Sequence, residues 1–145
     1  VLVVDDDELV RWSAAEGLKE YGYSVQVASD APEALRCCLD AAVGLLDHDL
    51  PGADGLALAQ SLRRHNPRCA IVLMTADPSP ELHHRARERG IVEVLGKPFS
   101  LEELVDAIDD AFARSSGSPA PPRGSPAGTD GPQYDEPWQT EAPHR

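Results

Sequence analysis

Four apolar runs in this chain each end on residues able to do chemistry. Val43-Gly44-Leu45-Leu46 runs into Asp47 and the stretch His48-Asp49-Leu50-Pro51-Gly52-Ala53-Asp54-Gly55, and Val1-Leu2-Val3-Val4 runs into Asp5-Asp6-Asp7. Ala70-Ile71-Val72-Leu73-Met74 runs into Thr75, and Ile91-Val92-Glu93-Val94-Leu95-Gly96 into Lys97-Pro98-Phe99. Short apolar runs closed by turn residues read as buried strands. If the four are parallel, their carboxyl ends share one edge of a sheet, where open α/β sheets place their ligands. Carboxylates, a hydroxyl and an ammonium then converge. Clustered carboxylates repel one another, and a hard divalent cation with oxygen ligands is the usual relief. Mg²⁺ fits best, because it keeps several waters and commonly joins one or two carboxylates to a phosphoryl group. A carboxylate can also act as a nucleophile and form an aspartyl phosphate. The transferred group spreads charge over three oxygens, so metal, lysine and hydrogen-bond donors are needed around it. Lys97 supplies a point charge and Thr75 a hydroxyl. Asp47 alone would read as a turn former, since Asp before Pro-Gly is common in turns. Four agreeing strand ends make unrelated surface residues the poorer account.

The elements that must position these groups alternate along the chain. After Val1 to Val4, Val10, Ala14, Leu18 and Tyr21 recur at helical spacing, with Asp7 placed to cap and Gly22 to stop the helix. Ser24 to Ala28 alternates as a strand, and Asp30 and Pro32 open a helix through Ala34, Leu35, Cys38 and Leu39. After Asp47 a helix runs through Leu56, Leu58, Ala59 and Leu62 to Asn66-Pro67. Cys69 to Met74 is the most apolar run, which suggests a central strand covered on both faces. Pro78 and Pro80 stiffen the next loop. The helix from Glu81 to Arg89 has few apolar anchors and should be exposed and loosely held, its arginines a solvated face. Ser100 and Glu103 have capping-box spacing ahead of a helix through Leu104, Val105, Ile108 and Phe112. Five alternations favour a parallel sheet with helices on both faces. No internal repeat is visible.

At 145 residues the chain holds one domain and a tail. From Ser115 to Arg145 the composition turns to Pro, Gly, Ser, Ala and Thr, too little apolar area to offset ordering entropy, so residues 115–145 are expected to be disordered. Tyr134 to Trp138 reads as an incidental aromatic pair in a linker. A net charge of -12 argues against a surface that neutralises nucleic-acid phosphates. Cys37, Cys38 and Cys69 lack metal-type spacing and fit reduced, partly buried thiols, pointing to the cytosol. No run has transmembrane length or the form of a signal peptide. The start at Val1 predicts a first strand cut short.

These four motifs, in this order and spacing over residues 1 to about 113, resemble the receiver domain of bacterial two-component response regulators. The resemblance implies a flavodoxin-like, doubly wound α/β fold with five parallel strands in the order 2-1-3-4-5 and five helices, spanning residues 1–114. It implies that Asp47 takes a phosphoryl group from a histidine kinase or histidine phosphotransfer protein. Asp6 would bind Mg²⁺ directly, Asp5 mainly through water, and the backbone carbonyl of Asp49 would be a further ligand, with Asp47. Thr75 and Lys97 would each pair with a phosphoryl oxygen, the lysine aimed by a cis Lys97-Pro98 bond. Thr75 would then move and repack the face made by the fourth helix, fifth strand and fifth helix, a population shift read by an output protein or by a phosphorylation-dependent homodimer. The chain would accept and lose phosphate without being a turnover enzyme. Val10-Arg11-Trp12-Ser13 looks more like receivers attached to transcriptional activators.

The sequence departs from the family at Val94, where Tyr or Phe usually swings inward as a switch. A β-branched side chain is stiff and cannot make that swing. Ile91 stands where a small residue after Gly is common. His48 reads as a solvent-facing loop residue, and the side chains of Asp49 and Asp77 would repel or order the attacking water. Two other readings compete. One is a pseudo-receiver that docks without phosphorylation. The other is a small haloacid-dehalogenase-type phosphatase using the D-x-D spacing of Asp5 and Asp7, which leaves Asp47 idle and puts Asp109 and Asp110 inside a helical pattern.

Overall fold

In this computed structural model, residues 1–115 are described. The expected tail therefore lies outside the described residues, except Ser115, which is buried and donates its hydroxyl to the Arg68 carbonyl at 2.8 Å. Strands and helices alternate as β1 (Leu2–Val4), α1 (Glu8–Glu20), β2 (Gln26–Ala28), α2 (Ala31–Cys37), β3 (Val43–Asp47), α3 (Gly55–His65), β4 (Ala70–Thr75), α4 (Pro80–Glu88), β5 (Glu93–Gly96) and α5 (Leu101–Arg114). All strands are parallel, in the order β2-β1-β3-β4-β5. This is the doubly wound fold that the resemblance implied.

Capping residues start the helices where the sequence places them. Asp7 accepts from the N–H groups of Leu9 and Val10, and Asp30 from that of Glu33. Ser100 and Glu103 form a reciprocal capping box. Each satisfies backbone donors that the first turn of a helix cannot pair internally.

The sheet carries two apolar faces. Leu46, Ile71 and Leu73 point toward α2, α3 and α4, where Ala34, Leu62 and Leu82 meet them. Val3, Leu45, Val72 and Met74 point toward Leu18 of α1 and Leu104 and Ile108 of α5. Fully burying one such leucine contributes about 1.5–3 kcal/mol, so the strands that carry Asp47 and Thr75 are the most firmly held. All five residues of β3 and all six of β4 are buried.

Three boundaries differ from the sequence reading. The second helix ends at Cys37, and a 3₁₀ turn over Cys38–Asp40 follows; the Asn66 side chain donates to the carbonyls of Cys38 and Leu39 in it and of Ala41 just beyond it. The last strand starts at Glu93, because the buried Ile91 is still tied back to Ala86. The second strand starts at Gln26 instead of Ser24, and its Val27 is exposed instead of alternating inward. The fourth helix is anchored by two buried residues, Leu82 and Ala86, consistent with its polar sequence.

Candidate functional site

Register brings the predicted residues together. Val4 is level with Leu46, so Asp5 leaves β1 beside Asp47; Asp47 is level with Met74, which puts Thr75 one residue further along β4. Thr75 is in turn level with Gly96, so Lys97 follows at the same edge, and its N–H donates to the Thr75 carbonyl at 2.7 Å. The Lys97-Pro98 bond is cis, as expected.

The side chains of Asp5, Asp6, Asp47 and Lys97 meet at this edge. Asp5 is fully buried and Asp47 nearly so, while Asp6 is exposed. Carboxylate oxygens of Asp5, Asp6 and Asp47 all lie within 4.8 Å of one another. Lys97 Nζ sits 3.3 Å from Asp5 Oδ2 and 3.3 Å from Asp47 Oδ1, bridging the two buried acids. The Asp7 N–H donates to Asp5 Oδ1 at 2.9 Å, and the Asp49 N–H to Asp47 Oδ1 at 3.2 Å. Asp47 Oδ2 accepts from no donor among the described residues. Thr75 is buried, and its Oγ1 accepts the Asp77 N–H at 3.0 Å, leaving the hydroxyl proton to donate.

Burial pushes the Asp5 carboxyl above its usual 3.8 and the like charge of Asp47 adds to this; the Asp7 N–H and the Lys97 ammonium act in the opposite direction without cancelling it. For Lys97, burial acts to lower the pKa, but the carboxylates of Asp5 and Asp47 outweigh it and hold the ammonium above its usual 10.5. The site is thus two buried acids and one exposed acid around a single cation, short of positive charge. That donor set, all carboxylate oxygen at close range, fits a hard divalent cation. The main chain of Asp49 lies in the same turn, tied to Asp47.

Two supporting residues, Arg11 and Gly55, lie in the motifs, but the sequence reading gives them no role. Arg11 Nη1 donates to the Asp5 carbonyl at 2.8 Å, fixing the end of β1 from the side of α1. Gly55 leaves room where a Cβ would sit 2.7 Å from His48 Cα and 3.0 Å from the Asp47 carbonyl oxygen. The His48 side chain is 24% exposed, between Asp49 Oδ1 at 3.5 Å and Asp54 Oδ1 at 3.9 Å, and is half-buried where a solvent-facing position was expected. Asp7, the second acid of the D-x-D pair, is engaged in capping α1, and Asp109 and Asp110 lie within α5.

A family model described as the response regulator receiver domain matches residues 1–109. The chain belongs to that family. This receiver, a domain of two-component systems, is similar to response regulator MprA of Mycobacterium sp. (strain KMS), 38% identical over 83% of this chain and 54% of that protein. It is also similar to the DNA-binding transcriptional regulator NtrC of Escherichia coli (strain K12), 30% identical over 78% of the chain and 24% of that protein. The chain thus spans about half the length of the first relative and about a quarter of the second. Among solved structures, a Francisella response regulator receiver domain superimposes with a TM-score of 0.71 at 30% identity, over 78% of this chain and 95% of that one. A CheY-like receiver from Methanospirillum hungatei JF-1 gives 0.71 at 26% identity, over 77% and 90%. No helix of the described receiver is long and apolar enough to cross a membrane.

Proposed function

We propose that this receiver accepts a phosphoryl group on Asp47 from a histidine kinase or histidine phosphotransfer protein, in the cytoplasm and without turnover of a substrate. The observation that carries the reading is Lys97 Nζ held 3.3 Å from both Asp5 and Asp47 at the strand edge that also carries Thr75. Asp5, Asp6, Asp47 and the Asp49 carbonyl would hold Mg²⁺, which when bound offsets negative charge on the acids and the incoming phosphoryl oxygens. Asp47 Oδ1 is positioned by the Asp49 N–H, and Oδ2 attacks phosphorus. The new P–O bond forms as the donor's P–N bond breaks, and the imidazole leaves with that electron pair. Lys97 turns an ammonium proton to one phosphoryl oxygen and Thr75 donates its hydroxyl to another, so charge developing in transfer meets positioned donors.

The donor has a surface to meet beside this site. A cleft of about 690 Å³ between α1 and the start of α5 is lined by Leu9, Ser13, Lys97, Pro98, Phe99 and Leu104. Leu9 in its lining is 70% accessible, and Trp12, three residues further along α1, is 60% accessible. An exposed leucine in the same cleft as the reacting lysine, with an exposed tryptophan on the same helix, suits an apolar helix surface on the donor.

Acetyl phosphate with Mg²⁺, followed by intact mass, tests the reading. One phosphate of added mass that needs metal and is absent in Asp47→Asn supports it. No gain, with fold and metal binding intact, would favour the phosphorylation-independent docking module.

A further inference from the structure

The edge of the sheet opposite Asp47 is rich in arginine. The last turn of α3 carries Arg63, Arg64 and His65; that of α4 carries Arg85 and Arg87, and Arg89 caps it. Cations at a helix carboxyl end offset its partial negative charge, which accounts for arginines on each helix taken singly. It does not account for their common direction. An open groove of about 530 Å³ runs between the two helix ends, and Arg63, Arg64, Arg87 and Arg89 all line it.

None of the four forms an ion pair among the described residues. Glu88, which also lines the groove, is already paired with His84 Nε2 at 2.9 Å. The chain has 25 acidic residues against 13 Lys and Arg, so acids are not scarce, yet among the described residues Glu88 is the one acid that lines the groove. Arg63 is held in place, reaching the Arg89 carbonyl with Nη1 at 3.5 Å. Its guanidinium lies where a side chain on Gly90 would collide with it, and Gly90 also has the positive φ of 79° that ends α4. Arg89 Nε is buried and has no hydrogen-bond partner. A buried donor without an acceptor is unfavourable, and an oxyanion that reached it would relieve this.

Guanidinium forks match oxyanions in two-point contacts. Several forks around one small groove suit a ligand that presents several oxyanions within a few ångströms, as a phosphate chain does and a lone carboxylate does not. We propose that the groove between the carboxyl ends of α3 and α4 is a binding site for a multivalent phosphate ligand, distinct from the acidic site at the other edge.

The test titrates the full 145-residue chain with tripolyphosphate, with ATP and with an oligoglutamate peptide of matched charge, by calorimetry at low salt with metal chelated. Saturable binding of tripolyphosphate is expected, weakened about tenfold or more in Arg64→Ala/Arg87→Ala and unchanged in Arg85→Ala, which shares α4 but not the groove. Both replaced side chains are exposed, and an unchanged melting temperature of the double variant shows that it is folded. Equal affinity for ATP assigns the site to the phosphate chain alone, and tighter ATP binding assigns it to a nucleotide; both uphold the proposal. No saturable binding, or binding undiminished in the double variant, overturns it. So does tighter binding of oligoglutamate, which would assign the groove to an acidic protein segment.

Discussion

Replacing Lys97 with methionine keeps the apolar stem of the side chain and deletes the ammonium that bridges Asp5 and Asp47. At 3.3 Å from each carboxylate oxygen, and with an effective dielectric constant of about 20, each attraction is worth roughly 5 kcal/mol before desolvation. Burial of the ammonium opposes that gain, and the side chain is still 25% exposed, so water screens part of it. The net loss expected for Lys97→Met at neutral pH without metal is about 2–4 kcal/mol, near the cost of breaking a partly buried pair. The loss carries a pH signature. Lys97 titrates above 10.5 in the fold, so its contribution is fully present below that value and disappears as pH rises through the folded-state value. Asp5 is held above 3.8 even with the lysine present; without it the carboxyl rises further and takes up a proton more readily. The deficit should therefore shrink as pH falls through the carboxylate range. Urea unfolding followed by far-UV circular dichroism, for both proteins at neutral pH and at about pH 4, measures it. Equal stability at neutral pH, or a deficit undiminished in acid, would refute the bridging role.

Other substitutions probe separate links. Asp5→Asn should raise metal-free stability, because ionised Asp5 is disfavoured by burial and by Asp47, and should abolish stabilisation by Mg²⁺. Wild-type protein at ten times its dissociation constant for Mg²⁺ should gain about 1.4 kcal/mol, readable in thermal melts with and without metal. Gly55→Ala should cost about 1–3 kcal/mol and slow acetyl phosphate labelling, since the new Cβ meets backbone atoms at the end of β3 that cannot yield without moving Asp47. The Cys69 thiol is pushed up from 9.0 to about 11 by burial, with Cys38 adding to it. The unfolded thiol ionises first, so wild-type stability should fall by about 2–3 kcal/mol as pH rises from 9.0 to about 11, a slope that Cys69→Ala should lack in parallel denaturant titrations.

Much of this architecture was legible because local signals and the global fold agree. Apolar runs of strand length fixed β1, β3 and β4, capping residues fixed the starts of α1, α2 and α5, and the residue after each run supplied the chemistry. Lys97 and Asp5 are 92 positions apart, yet parallel register alone carries both to the same edge. What escaped depends on neighbours distant in sequence. The Asn66 side chain draws in three carbonyls to end the second helix in a 3₁₀ turn, and no pattern in residues 31–40 announces a partner on another element. His48 reads as a loop residue by composition, but Asp54 at the head of α3 folds back beside it. The hydrogen bond from Arg11 to the Asp5 carbonyl joins a helix to a strand end, which helical spacing cannot express. Val94 is the converse case, since the sequence names it as a departure and the structure packs it partly buried on the face of α2, α3 and α4.

The most direct test of phosphoryl acceptance is reductive trapping. The chain is treated with acetyl phosphate and Mg²⁺, then with borohydride, which converts an aspartyl phosphate to homoserine, and the trapped position is read by peptide mass mapping. Homoserine at residue 47, dependent on metal, is the predicted result. Trapping at Asp5 or Asp6, or none at any aspartate, would contradict the account.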